Sequence, residues 1–296
     1  MGDHLAPKAR AMLTASEGER LQYVIAPKWI GYARAKEALS KLEDLLAHPK
    51  THRMPNLIIH GPTNNGKTMI IQRFMRDHPH NDNPDGDAAE VPVLAVQMPF
   101  SPEPRRFYRA ILEQLFATYR SSDNLANLET QAIRLLRACG LRLLIIDELH
   151  NILAGRMDTQ RQFLNLIRYL GNELEVPIVC LGIQSALRAI QIDEQLANRF
   201  EPFALPSWED VQDFRRLLNS FEAVLPLEER SFLASDNMAT AILAKSEGTI
   251  GEVLMLIRAA AKYSIINGIS HVNEGVLDKC DYVAPRERRR AAERQA

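Results

Sequence analysis

Beyond about residue 55 the chain alternates short apolar runs with longer amphipathic stretches. The runs are "NLIIH" (56–60), "PVLAVQM" (92–98), "LRLLIID" (141–147), "PIVCLG" (177–182) and "PFALP" (202–206). Each is shorter than a typical helix, and together they are rich in Val, Ile and Leu, the pattern of strands buried on both faces. Between them apolar positions return every three to four residues. That spacing predicts helices from Lys67 to about Asp77, near 104–119, 125–138 and 157–174, and a short one ending near Arg199. Upstream, Ala38, Leu39, Leu42, Leu45 and Leu46 mark a helix over 31–47, which "HPKTHRMP" interrupts. After "LPSW" strands give way to helices alone, with Ser207 and Asp236 as N-caps and Gly248 and Gly268 as stops.

Strands alternating with helices predict an α/β fold: a five-stranded parallel sheet flanked by helices, followed by a small all-helical domain. The expected division is an N-terminal extension and helix over 1–50, the α/β domain over 51–206, the helical domain over 207–281 and a tail over 282–296. The Asp-, Asn-, Pro- and Gly-rich segment over 77–92 reads as an exposed loop.

Composition narrows the function classes. Hydrophobic residues make up 46% and charged residues 25% of 296, as in ordinary globular proteins, and no apolar run is long enough to span a bilayer. The N-terminus "MGDHLAPKAR" has no signal-peptide core, so a cytoplasmic protein is expected, with no membrane partner. Cys139, Cys180 and Cys280 lie far apart, which suits reduced buried thiols and neither a disulfide framework nor a zinc site. A net charge of -1 gives no global attraction to nucleic acid, so any such contact is local. The tail is the clearest basic cluster, with Arg286, Arg288, Arg289, Arg290 and Arg294 against Glu287 and Glu293. It reads either as a frayed solvated end or as an arm for a partner or for DNA.

The octet Gly61-Pro62-Thr63-Asn64-Asn65-Gly66-Lys67-Thr68 fits G-x-x-x-x-G-K-[ST] and sits between a predicted strand and a predicted helix, as that motif requires. Its backbone amides can turn toward phosphate oxygens, Lys67 can reach the β and γ phosphates of ATP, and the Thr68 hydroxyl can ligate Mg²⁺. Downstream, "LRLLIIDELH" ends a strand on Asp147, a carboxylate for the Mg²⁺ side, with Glu148 next to it to orient and deprotonate water. That pair favours hydrolysis over transfer to a small substrate. Gln184, beyond the fourth strand, is placed either to bond the γ phosphate or water, or as a surface amide. Arg199, just before the fifth strand, is either an arginine acting on a neighbour's nucleotide or half of an internal salt bridge.

With "GPTNNGKT", "LLIIDELH", "LANRF" and a helical C-terminal part, the chain resembles AAA+ P-loop ATPases, and more closely the TniB/TnsC-type transposition ATPases of bacterial mobile elements. Further phrases that carry the likeness are "WIGYARAKEAL", "RQFLNLIRYLGNELEVPIVCLG" and "LANRFEPFALP", over roughly 25 to 260. The resemblance implies an ATP- and Mg²⁺-dependent protein that assembles as a ring or helical homo-oligomer around double-stranded DNA. It would recruit an integrase-type transposase, together with a TniQ-like targeting protein, and would sit on the nucleoid when DNA-bound. Hydrolysis would drive disassembly. The resemblance gives Arg199 the role of a finger in trans, places Trp29, Ile30 and Tyr32 at the adenine, and turns Arg105, Arg106 and Arg109 of "SPEPRRFYRAILEQ" toward DNA. Three arginines on a solvated helix face are the other reading of that segment. In one respect the chain departs from the AAA+ pattern: where a second sensor arginine is expected it has Gly251 or Glu252 in "EGTIGEV", and Arg258 follows about two turns later. A helicase-loader or replication-initiator ATPase is the alternative on the same fold, and a P-loop enzyme phosphorylating a small substrate is a third reading.

Overall fold

The computed structural model describes residues 2–83, 86 and 88–294. Parts of the predicted 77–92 loop and the last two residues of the tail therefore lie outside the described residues. The chain divides into two compact units. One comprises Arg34–Pro62 and Lys67–Leu205, and the other comprises Met1–Ala33, Thr63–Gly66 and Pro206–Ala296.

The first unit is the sheet unit. Its strands are β1 (Asn56–His60), β2 (Val93–Gln97), β3 (Leu143–Asp147), β4 (Ile178–Gly182) and β5 (Phe200–Ala204). They lie in the order β2-β3-β4-β1-β5, and every pair is parallel. Connections between parallel neighbours must cross over through helices, and Ala33–Ala47, Lys67–Asp77, Pro104–Gln114, Leu125–Ala138, Met157–Leu174 and Gln184–Gln191 are the longest helices of this unit's sequence. The central strands β1 and β4 are buried at every position, which is why their sequences do not alternate. Pro202 falls in β5, which pairs only with β1, and an edge strand is where a residue without an N–H is tolerated. Ile58, Ile146 and Cys180 from the sheet and Phe107, Phe163 and Leu170 from the helices form one continuous core.

Several boundaries differ from expectation: Asp236, expected as an N-cap, is the first residue of its helix, with Ser235 at the cap. The helix predicted over 104–119 ends at Gln114, because Phe116 takes the left-handed conformation (φ 52°). Ala117 N–H then donates to Leu112 O and Phe116 N–H to Glu113 O, the closing bonds of a Schellman motif in which the usual glycine is absent. Ser207 is not an N-cap: the helix it was expected to start runs from Gln212 to Glu222. Trp208 N–H is taken by Gly248 O at 2.6 Å and its ring packs on Tyr32 and Phe214, which holds 207–211 out of helical conformation.

The second unit is helical. Besides Gln212–Glu222 it contains Asp236–Ser246, Ile250–Ile266 and Glu274–Lys279 around Phe214, Leu218, Ile242, Val253, Leu256 and Ala260. The first two helices end two residues before Gly248 and Gly268, each with positive φ. Helices Pro7–Ala11 and Glu17–Ile25 also belong here, although the expected division grouped 1–50 as one N-terminal extension and helix ahead of the α/β domain. Ser16 and Glu19 close a capping box on the second of these, Val24 joins the core, and Arg20 donates to Pro226 O at 2.7 Å. The tail is likewise structured where described: Pro285–Glu293 is a helix rather than a frayed end. No described helix is long and apolar enough to cross a membrane.

Candidate functional site

In an open parallel sheet the carboxyl ends of the strands face the crevice where ligands bind. In the sheet unit β1 ends at His60, with Gly61 and Pro62 beyond it, β3 ends at Asp147, and β4 ends at Gly182. Gly61 N–H donates to Gly182 O at 3.2 Å and Leu205 N–H to His60 O at 2.7 Å, which fixes the exit of β1 between its two neighbours. A Cβ on Gly61 would lie 2.1 Å from Leu205 O, so a side chain is sterically impossible there.

Lys67 is buried at the start of its helix, and its ammonium donates to Gly61 O at 2.9 Å and Pro62 O at 2.7 Å. Burial lowers its pKa, opposed by the carboxylates of Glu148 and Asp147. A desolvated cation held by two neutral carbonyls is poised for an anionic ligand. The Thr68 hydroxyl donates to Asp147 Oδ2 at 2.9 Å, and Asp147 Oδ1 accepts Glu148 N–H at 2.8 Å. Glu148 itself is left-handed (φ 58°, ψ 36°), a conformation that costs a non-glycine residue energy and clusters at functional sites. Its Oε2 lies 3.1 Å from His150 Nε2, because the short 3₁₀ turn Leu149–Ala154 folds back beside it.

Among the described residues no three His, Cys, Asp or Glu groups gather to hold a metal by themselves. Thr68 and Asp147 supply two oxygens, a donor set that suits Mg²⁺ when phosphate oxygens and water complete its shell.

The remaining predicted residues fall into four places. Gln184 is exposed at the start of its helix near His60, a buried residue whose pKa is lowered first by burial. Arg199 lies at the opposite edge of the sheet. Its backbone O accepts Asn56 N–H at the entry of β1 and its guanidinium donates to Asn172 at 2.8 Å, so the length of β1, roughly 16 Å, separates it from the strand ends of its own chain. Of the three arginines on Pro104–Gln114, Arg105 is exposed without a hydrogen-bond or ion-pair partner among the described residues. Arg106 pairs with Glu103 at 2.8 Å and covers the exposed Phe100 ring, whereas Arg109 is turned back onto Ser121 O at 2.7 Å.

In the helical unit Ile30 and Tyr32 pack on the helical core, with Tyr32 5.0 Å from the Trp208 ring, and Trp29 is half-buried. The loop residues Thr63–Gly66 belong to this unit. Asn64 is left-handed (φ 60°), its O accepts Gly251 N–H at 3.0 Å, and its amide donates to Glu252 Oε1 at 3.2 Å. Asn65 is buried and donates to Pro206 O at 2.8 Å while accepting Ile250 N–H at 3.3 Å.

Sequence reasoning did not single out His60 or His150, and it marked Glu252 only as a position where a sensor arginine is missing, not as a partner of the loop. The first two are adjacent to the motifs, and only the turn geometry shows that their rings face Gln184 and Glu148. Nothing in a linear pattern pairs position 252 with position 64.

A parallel sheet in this strand order, a phosphate loop leaving β1 and an acidic pair ending β3 define the AAA+ class of P-loop ATPases. Within that class the chain matches the family model described as "Bacterial TniB protein" over residues 20–210, and it belongs to that family. Solved structures share the fold. The ORC1 protein of Aeropyrum pernix, solved in complex with DNA, is 17% identical with a TM-score of 0.62, over 87% of this chain and 67% of that one. Drosophila ORC bound to DNA is 15% identical with a TM-score of 0.58, over 90% and 65%. The Holliday junction branch migration motor RuvB of Thermotoga maritima is 15% identical with a TM-score of 0.51, over 87% and 72%. At these identities the likeness is one of fold. A comparison with curated proteins gave no match.

Proposed function

We propose that this protein is an ATP-hydrolysing AAA+ adaptor that oligomerises on double-stranded DNA without sequence preference and recruits or regulates an integrase-type transposase, with hydrolysis driving disassembly. The observation that carries the nucleotide part is the hydrogen bond from Thr68 to Asp147 beside the buried Lys67, which brings together groups 79 residues apart in the two arrangements the chemistry requires. The transposition part rests on membership of the TniB family.

In this reading Gly61 to Thr68 bind the phosphates, and Lys67 exchanges its two carbonyl partners for phosphate oxygens. Thr68 and Asp147 would hold Mg²⁺, which when bound neutralises phosphate charge. Glu148 leaves His150 and takes a proton from water, while Gln184 orients that water. Arg199 acts on the nucleotide of an adjacent subunit, since it lies at the far edge of its own sheet. Trp29, Ile30 and Tyr32 flank the adenine. Arg105 and Arg106 contact DNA phosphates, contacts that give affinity without reading bases. A TniQ-like protein completes the set of partners, and the protein works in the bacterial cytoplasm. The helicase-loader reading shares the fold but draws nothing from the family match.

Electron microscopy of the full chain with duplex DNA and a slowly hydrolysed ATP analogue tests this. Rings or helical oligomers on DNA are expected, and monodisperse monomers under those conditions would refute it.

A further inference from the structure

Pro285–Glu293 is a helix with no buried residue, so apolar packing does not hold it in place. Charge does. Arg289 donates to both oxygens of Glu247 at 2.7 Å each, and Arg288 donates to Glu252 Oε2. Pro285 at the first turn pre-sets the helical φ and needs no N–H partner.

Glu252 is an unusual acceptor. It is 8% exposed, in the first turn of Ile250–Ile266, and its other oxygen accepts the Asn64 amide at 3.2 Å. The Tyr282 hydroxyl donates to the same oxygen as Arg288, at 3.0 Å. A Cβ on Gly251 would lie 1.9 Å from Asn64 Oδ1, so the helix start and the phosphate loop are in direct contact at this point. Gly251 and Asn64 also share a backbone hydrogen bond.

A buried carboxylate next to a loop that binds polyphosphate opposes its ligand by like charge. At an effective dielectric of about 20, like charge within a few ångströms of the loop weakens an anion's binding on the order of tenfold once screening is counted. A buried carboxylate also needs a counter-charge. Within the helical unit Arg288 supplies it.

We propose that Arg288 is a positioning residue for nucleotide binding: as the counter-ion of Glu252 it lets that carboxylate hold Asn64 of the phosphate loop without repelling the bound polyphosphate. The C-terminal helix is thereby part of the nucleotide machinery. This inference rests on the reading of Gly61 to Thr68 as an ATP-binding loop.

The test is calorimetric titration of the full chain with Mg²⁺ and a non-hydrolysable ATP analogue, together with melting of the nucleotide-free protein. Arg288→Ala should weaken binding roughly tenfold, while its half-exposed position keeps the nucleotide-free Tm within about 3 °C of wild type. Arg288→Lys, which keeps the charge, should recover most of the loss. Adding Glu252→Gln to Arg288→Ala should also recover it, because the repelling charge is gone; a merely structural role for Arg288 predicts no such relief. Wild-type affinity in Arg288→Ala, or a loss that Glu252→Gln does not relieve, would overturn the inference and leave ATP binding standing. No binding by the wild type would overturn the ATP-binding reading and this inference with it.

Discussion

Glu148 Oε2 lies 3.1 Å from His150 Nε2, so the carboxylate proposed to activate water is engaged two residues along its own chain. The left-handed backbone at Glu148 and the following 3₁₀ turn bring the two together. In the proposed mechanism such an arrangement restrains Glu148 until something displaces it. His150→Ala should therefore raise DNA-free ATP turnover by roughly two- to fivefold with nucleotide affinity unchanged, the mark of an effect on kcat alone. A fall in turnover, read by phosphate release, would mean that His150 supports Glu148 rather than restrains it.

The roles proposed for Lys67 and Glu148 are separable by substitution. Lys67 is buried and, among the described residues, has only loop carbonyls as hydrogen-bond partners. Lys67→Ala should lower ATP affinity by about a hundredfold or more, the scale of removing a charge-assisted contact from a buried site. Glu148→Gln should bind ATP as wild type and lose turnover by on the order of a hundredfold or more. Equal loss of binding in both variants would contradict the assignment.

On the helix Pro104–Gln114 the three arginines should not behave alike. Arg105 is exposed and Arg106 has only surface partners, whereas Arg109 is committed to Ser121 O and its Nε is buried. Arg105→Ala with Arg106→Ala should weaken DNA binding at every sequence and reduce the salt slope by about two. Arg109→Ala should leave the slope within about half a unit of wild type and lower the melting temperature instead. Anisotropy titrations between low and moderate salt decide this, and an unchanged slope in the double variant would place the DNA surface elsewhere.

Arg199 lies at the entry edge of the sheet and the phosphate loop leaves the exit edge. If it completes a neighbour's site, Arg199→Ala and Glu148→Gln should each be inactive alone yet active when mixed. In a random one-to-one mixture about a quarter of the sites combine an intact Glu148 with an intact neighbouring arginine, so about a quarter of wild-type turnover should return. No recovery in co-assembled oligomers would remove Arg199 from the site.

The strands, the phosphate loop and the acidic pair were readable because each is a local pattern: five apolar runs, one octet, one strand ending in Asp147-Glu148. Helix ends were readable where glycine marks them, as at Gly248 and Gly268, and not at Phe116, where an exposed phenylalanine takes the left-handed conformation that glycine would normally supply. Residues 1–33 join the helical unit through contacts such as Arg20 to Pro226, which no window of sequence contains. The capping box at Ser16 and Glu19 was nonetheless a visible sign that a helix begins there. At Gly251 or Glu252, where a second sensor arginine was expected, Glu252 carries a carboxylate instead, and the arginine that meets it comes from 36 residues further on. Composition showed only that the tail was basic; its partners Glu247 and Glu252 turn that charge into a docked helix.

The central claim is that nucleotide governs assembly on DNA. The most direct measurement is the mass of complexes formed on a short duplex by wild type and by Lys67→Ala, each with and without a slowly hydrolysed ATP analogue, by mass photometry. Multimers on DNA only for wild type with nucleotide are predicted. Multimers of equal size in all four samples, or none in any, would contradict the account.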